Sequence, residues 1–326
     1  MTGRPIRRAP QLPHIDAPLE RRYGLMAEPL LFRTNDPLLL EAADVAFRRF
    51  EVPGDGVPLE VELVVDGRGG PAAFDPRLLR PRVQAHLHSI TLDARNHASV
   101  DLDRGIATGI VSPEVAGDRD FVRYAFVEAM GLSMLGRARG YVAFHASGVV
   151  YRNRGAVLQA TAGTGKSTLA MACARLGFGV LAEDVVFART VSGGVELWGM
   201  PWIQRLLPDA ADHFSELEGV APRLQANGEH KIEVDLDTLR RGAAQPWAVG
   251  RAAVLLVRGT GGPTRIEPLT KEEAAAGFEV LWPWGNGWSA GHEATVQALL
   301  AQGAARLHMN GTPDAAAEAL AGWLSR

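Results

Sequence analysis

The chain has 326 residues, 47% of them hydrophobic, which suits two domains, or one large domain with an extension, around a packed core. A net charge of −3 argues against a general nucleic-acid binder, and the single cysteine, Cys173, excludes an internal disulfide and fits a reducing, cytoplasmic compartment. No apolar run reaches the ~18 residues of a membrane span, and Met1 to Pro13 lacks the apolar stretch of a secretory signal.

In chain order, residues 1–25 carry four prolines and read as an irregular arm. Asp36 to Phe50 has helical spacing, and Leu59 to Val65 alternates as a strand does, closing at the Asp66-Gly67 turn pair. Ala98 to Ile110 reads as a hairpin that turns at Asp103-Arg104-Gly105. Asp120 to Arg139 is an amphipathic helix with Gly140 as its stop. Tyr141–His145, Ser147–Tyr151 and Ala156–Gln159 read as three successive strands. Phe178–Ala182, Val185–Arg189 and Val195–Trp198 are further strands, and Asp209 to Leu217 a short helix. Lys231–Leu236 and Ala252–Val257 are strands. The chain closes on helices at Lys271–Val280, His292–Gln302 and Pro313–Leu324. Strands alternate with helices, yet several are consecutive, which predicts an α/β fold with a mixed sheet. The division expected is an α+β module over 1–117 and a second domain over 118–326.

The segment Ala160-Thr-Ala-Gly-Thr-Gly-Lys166-Ser167-Thr168 has the features of a phosphate-binding loop between a strand and a helix. Gly163 and Gly165 let the backbone curl, so that the N–H groups from Gly163 through Thr164 to Thr168 surround one anion. The helix N-terminus adds partial positive charge. Lys166 reaches the outer phosphates, and the Ser167 hydroxyl suits Mg²⁺. Ala160 stands where the usual pattern begins with Gly. Among 34 basic residues only Lys166, Lys231 and Lys271 are lysines. Lys166 fits a place where a compact ammonium does what a planar guanidinium does not, Lys231 is a second candidate, and Lys271, beside Glu272 and Glu273, reads as part of a solvated helix face.

Glu183-Asp184 directly follows the apolar run Gly179–Ala182. An acid at a strand end beside a phosphate loop can bind Mg²⁺ or accept the proton of an attacking hydroxyl. Strand alternation aims only one of the two at the site unless the chain turns there. His145 and Glu196, taken alone, read as strand residues.

Taken in order, His145-Ala-Ser-Gly-Val, Gly163-Thr-Gly-Lys-Ser167, Leu181-Ala-Glu-Asp184-Val, Glu196-Leu-Trp-Gly199 and Lys231-Ile-Glu-Val resemble the HPr serine kinase/phosphorylase family, over about residues 118–260. The resemblance implies a phosphate-loop kinase domain that uses ATP and Mg²⁺ to phosphorylate a serine. On that reading Lys166 and the loop hold the nucleotide, and Ser167, Glu183 and Glu196 serve the metal. Asp184 takes the hydroxyl proton, His145 orients it, and Lys231 neutralises transferring charge. It also implies a homo-oligomer. Two departures stand out: the family's acid pair is Asp-Asp, and Thr168 occupies a position where bifunctional members carry an acid. These favour a divergent relative, such as the kinases that phosphorylate the C-terminal serine of lasso peptide precursors.

The partner expected is therefore a peptide or protein with an acceptor serine. A nucleotide-operated switch without phosphotransfer and a small-molecule kinase remain alternatives. All seven tryptophans follow residue 197, and Trp282-Pro-Trp-Gly-Asn-Gly-Trp288 reads as a loop that either anchors a peptide or covers the core's edge.

Overall fold

The computed structural model describes residues 15–68, 70, 73–225, 228–259, 261–278 and 290–326. Residues 1–14, the tryptophan segment Trp282–Trp288 and Val280 lie outside the described residues.

The first sheet has seven strands: β1 (Leu19–Leu25), β2 (Glu28–Thr34), β3 (Leu59–Val65), β4 (Arg80–Gln84), β5 (Leu87–Thr91), β6 (His97–Asp101) and β7 (Ile106–Val111), in the order β1-β2-β3-β7-β6-β5-β4. The central pairs β2–β3 and β3–β7 are parallel and the outer ones antiparallel. Helix α1 (Pro37–Phe47) begins on Asp36, whose side chain accepts from the Leu38 N–H, and buries Leu39, Ala43 and Phe47. After the short α2 (Pro113–Gly117) comes one long helical rod. It is α3 (Arg119–Val122), a π-helical stretch Arg123–Glu128, and α4 (Ala129–Arg139). Gly140, at φ +74°, ends it in the left-handed conformation. Phe121, Phe126, Met130 and Leu135 of this rod share one apolar core with the first sheet and α1.

The second sheet is built from β8 (Val142–Tyr151), β9 (Arg154–Gln159), β10 (Gly179–Ala182), β11 (Val185–Val191), β12 (Gly194–Trp198), β16 (Trp247–Arg258), β17 (Arg265–Pro268) and β18 (Ala304–Met309). A small third sheet joins β13 (Ile203–Leu206), β14 (Arg223–Leu224) and β15 (His230–Asp235). In the second sheet β9 lies parallel to β16, antiparallel to β8, and β16 is parallel to β18, so the sheet is mixed. The pairings β8–β11, β11–β12, β12–β16, β16–β9 and β9–β8 form a closed cycle. Helices α5 (Lys166–Arg175) and α9 (Pro313–Leu324) cover one face. On the other face α7 (Lys271–Gly277) and α8 (Ala290–Gln302) bury Ala274, Val296, Leu299 and Leu300. Helix α6 (Leu236–Leu239) follows β15. Cys173 is fully buried in α5, where burial pushes its thiol pKa far up. Among the described residues no helix is long and apolar enough to cross a membrane.

Several sequence expectations need correction. Leu19–Leu25, expected as irregular, is an edge strand that pairs with β2 along its whole length. Tyr141–His145 and Ser147–Tyr151 are one strand, not two. Gly148 sits at its centre because a Cβ there would lie 2.8 Å from Leu181 and Val186. Asp209 to Leu217 forms two 3-10 turns instead of an α-helix.

Candidate active site

Strand β9 is buried along almost its whole length and delivers the glycine loop to the C-terminal edge of the sheet. Gly163 and Gly165 have φ of +76° and +106°, and a Cβ at Gly163 would meet nothing within 4 Å. The glycines there are thus required by backbone conformation, not by close packing. Helix α5 starts at Lys166 without a side-chain cap, so its first N–H groups face the loop. Lys166 folds back over the loop, and its Nζ donates to Ala160 O at 3.0 Å. Burial lowers its pKa, while the charges of Asp184 and Glu183 oppose that. The hydroxyls of Thr161 and Thr164 lie 2.9 Å apart, and Arg258 Nε donates to Thr164 O at 3.1 Å.

The acid pair occupies a bend between β10 and β11, which both run antiparallel to β8. The bend frees the pair from strict strand alternation, so both carboxylates border one cleft. Glu183 Oε1 accepts from Ser167 Oγ at 3.0 Å, and its backbone O accepts from Ser147 Oγ at 2.6 Å. Burial, with the Asp184 charge adding to it, pushes Glu183 up to about 7. Asp184 is more open, and His145 Nε2–H donates to its Oδ1 at 3.0 Å. That hydrogen bond, with the positive charges of Lys231 and Lys166, holds Asp184 below the usual carboxylate range.

The cleft has a volume of about 550 Å³ and, besides the acid pair, draws on three further parts of the chain. Asp75 and Arg77 come from the first sheet's connection, Arg123 and Tyr124 from the helical rod, and Arg205 and Lys231 from the third sheet. Lys231 Nζ also lies 3.3 Å from Glu229 Oε2. The structure therefore brings His145, Lys166, Ser167, Glu183, Asp184 and Lys231 to one region. Thr168 lies in the first turn of α5.

Glu196 is not brought to the loop. Its strand partner is Arg189, five residues beyond Asp184 along an extended strand, roughly 16 Å away. There Glu196 Oε2 accepts from Arg189 Nη2 at 3.2 Å and Trp198 Nε1 at 3.3 Å. Arg189 also donates to the buried Glu28 at 2.6 Å, and Arg139 lies 2.9 Å from the same carboxylate. Long-range register decides this, and no local pattern displays it. Sequence reasoning also misses Arg77, Arg123, Arg205 and Arg258, because one arginine looks like another among so many.

No protein-family model matches the chain, and no curated protein matches it. Among solved structures, the Hpr(Ser) kinase/phosphatase from Coxiella burnetii is similar at a TM-score of 0.33 and 11% identity, over 56% of this chain and 90% of that one. At those values the likeness is distant, and the site's chemistry is read from its own residues.

Proposed function

We propose that this chain is an ATP-dependent kinase that transfers the γ-phosphoryl group to a serine hydroxyl of a peptide or protein. The observation that supports it most is that Ser167, at the end of the glycine loop, bonds to Glu183 and His145 pairs with Asp184, while both acids border one cleft. The loop amides from Gly163 to Thr168 and the Lys166 ammonium bind the phosphates of ATP as substrate. Ser167 and Glu183 are hard oxygen donors 3.0 Å apart and would hold Mg²⁺, which when bound neutralises phosphate charge.

Asp184 receives the incoming serine hydroxyl. The serine oxygen bonds to the γ-phosphorus while the bond to the β,γ-bridging oxygen breaks. Asp184 takes the proton, and the products are phosphoserine and ADP. A carboxylate held low in pKa suffices, because a loose transition state demands orientation more than proton removal. His145 fixes the Asp184 carboxylate, and Lys231 offsets charge beside it.

Residues 1–117 act as an acceptor-binding module, since Asp75 and Arg77 border the same cleft. The C-terminal serine of a ribosomal peptide precursor is the first acceptor to try, given the resemblance to lasso-peptide kinases. Cytoplasmic placement and a homo-oligomer complete the reading. The test is mass spectrometry of serine-containing peptide pools after incubation with ATP and Mg²⁺. A gain of one phosphate that Asp184→Asn abolishes is expected, and ATP binding with no phosphorylated product would overturn the reading in favour of a nucleotide switch.

A further inference from the structure

A second cavity, of about 310 Å³, borders Asp184. Its walls are Leu79 just before β4, Ile90 of β5, Ala129 and Leu132 of the helical rod, and Val185 and Phe187 of β11. The volume is near the lower end of the roughly 300–1,000 Å³ of small-ligand pockets.

Several polar side chains also border this cavity with their hydrogen bonds or ion pairs directed elsewhere. Glu128 pairs with Arg123, Arg137 with Asp103, and Ser133 Oγ donates to Met130 O at 3.1 Å. Tyr141 OH donates to Glu28 at 3.4 Å. His88 is fully buried, and burial pushes it down to about 4, so its imidazole adds no charge at neutral pH. A polar occupant would lose its hydration and gain few hydrogen bonds in return, whereas an apolar one loses nothing.

Tyr124 and Asp184 border both this cavity and the polar cleft. An alcohol whose hydroxyl meets Asp184 therefore has an apolar recess immediately beside it. We infer that the cavity is an acceptor subsite for a bulky apolar group, aromatic or branched aliphatic, adjacent to the hydroxyl that is phosphorylated. The inference rests on the kinase reading for the role of Asp184. The same chemistry is offered by an apolar residue next to a serine or by a small amphipathic alcohol.

The experiment measures binding and transfer separately on the full chain. Fluorescein-labelled peptides with Phe, Leu or Asp beside a single serine are titrated by fluorescence anisotropy, and 3-phenylpropanol is used as a competitor. The same peptides are then incubated with ATP and Mg²⁺ and weighed by mass spectrometry. Wild type is expected to prefer the Phe or Leu peptide over the Asp peptide by at least about tenfold. Ala129→Trp, which fills the cavity, and Leu79→Glu, which places a charge at its partly exposed wall, are each expected to bring that ratio near one. Either variant suffices if the other fails to fold.

Equal binding of the Phe and Asp peptides by wild type together with no variant-sensitive binding of 3-phenylpropanol, or a preference that survives both variants, overturns the inference. Phosphorylation of all serine peptides regardless of neighbour overturns it while leaving the kinase reading intact. A variant-sensitive preference without transfer supports the subsite and sinks the kinase reading. Variant-sensitive binding of 3-phenylpropanol with no peptide preference supports the subsite and assigns it to a small alcohol.

Discussion

Replacing Glu183 by Gln should stabilise the metal-free protein at alkaline pH while removing the proposed magnesium ligand. Glu183 is 8% exposed, its ordinary pKa is 4.5, and burial with the neighbouring Asp184 charge raises it to about 7. A carboxyl raised on folding stabilises the fold fully below its unfolded value, and that stability is lost as pH rises through the folded value. At 1.36 kcal/mol per pH unit, ionising the buried group costs about 3 kcal/mol. The Ser167 hydroxyl keeps an acceptor in the amide oxygen of Gln, so the variant isolates the charge. Urea unfolding in the presence of a chelator, from about pH 4 to about pH 8, reads the effect. Wild type and Glu183→Gln should coincide at about pH 4, below the unfolded value, and the variant should lead by about 3 kcal/mol near pH 8. Excess Mg²⁺ should close that gap, since an ion bound only by the native state stabilises wild type. A difference that is constant with pH would refute the claim that this carboxyl is desolvated.

Asp184→Asn should lower phosphotransfer by about 10²- to 10⁴-fold with ATP affinity unchanged, as read by single-turnover kinetics. His145→Ala removes the hydrogen bond that holds Asp184 low, so the acid limb of the pH–rate profile should move to higher pH. Gly165→Ala forces a side chain onto φ +106°, a cost of about 1–3 kcal/mol that thermal melting should register together with weakened nucleotide binding. Arg189→Met leaves the buried Glu28 and the strand-paired Glu196 with less compensation and should cost about 3 kcal/mol in chemical denaturation.

The glycine loop is legible in the sequence because its requirements are local: an apolar strand, two residues at positive φ and a helix start lie within twenty residues. The long helical rod is legible for the same reason, through its spacing and its Gly140 stop. Non-local pairing hides the rest. Strand β1 carries no alternation, and Gly24 within it accommodates Glu51 O, which would lie 1.9 Å from a Cβ. Strand β8 looks broken at Ala146, yet it runs through, and Gly148 lets Leu181 and Val186 approach. The bend that engages both Glu183 and Asp184 depends on how β10 and β11 share β8, and Glu196's distance from the loop depends on the register of β12. The cavity bordering Asp184 needs three separate elements to exist and has no sequence signature.

A crystal structure with a non-hydrolysable ATP analogue and Mg²⁺ tests the central claim most directly. The account predicts the β- and γ-phosphates against the amides of Gly163 to Thr168 and Lys166 Nζ, the metal on Ser167 and Glu183, and the γ-phosphorus facing Asp184. Nucleotide bound away from this loop, or a γ-phosphate turned from Asp184 toward Glu196, would contradict it.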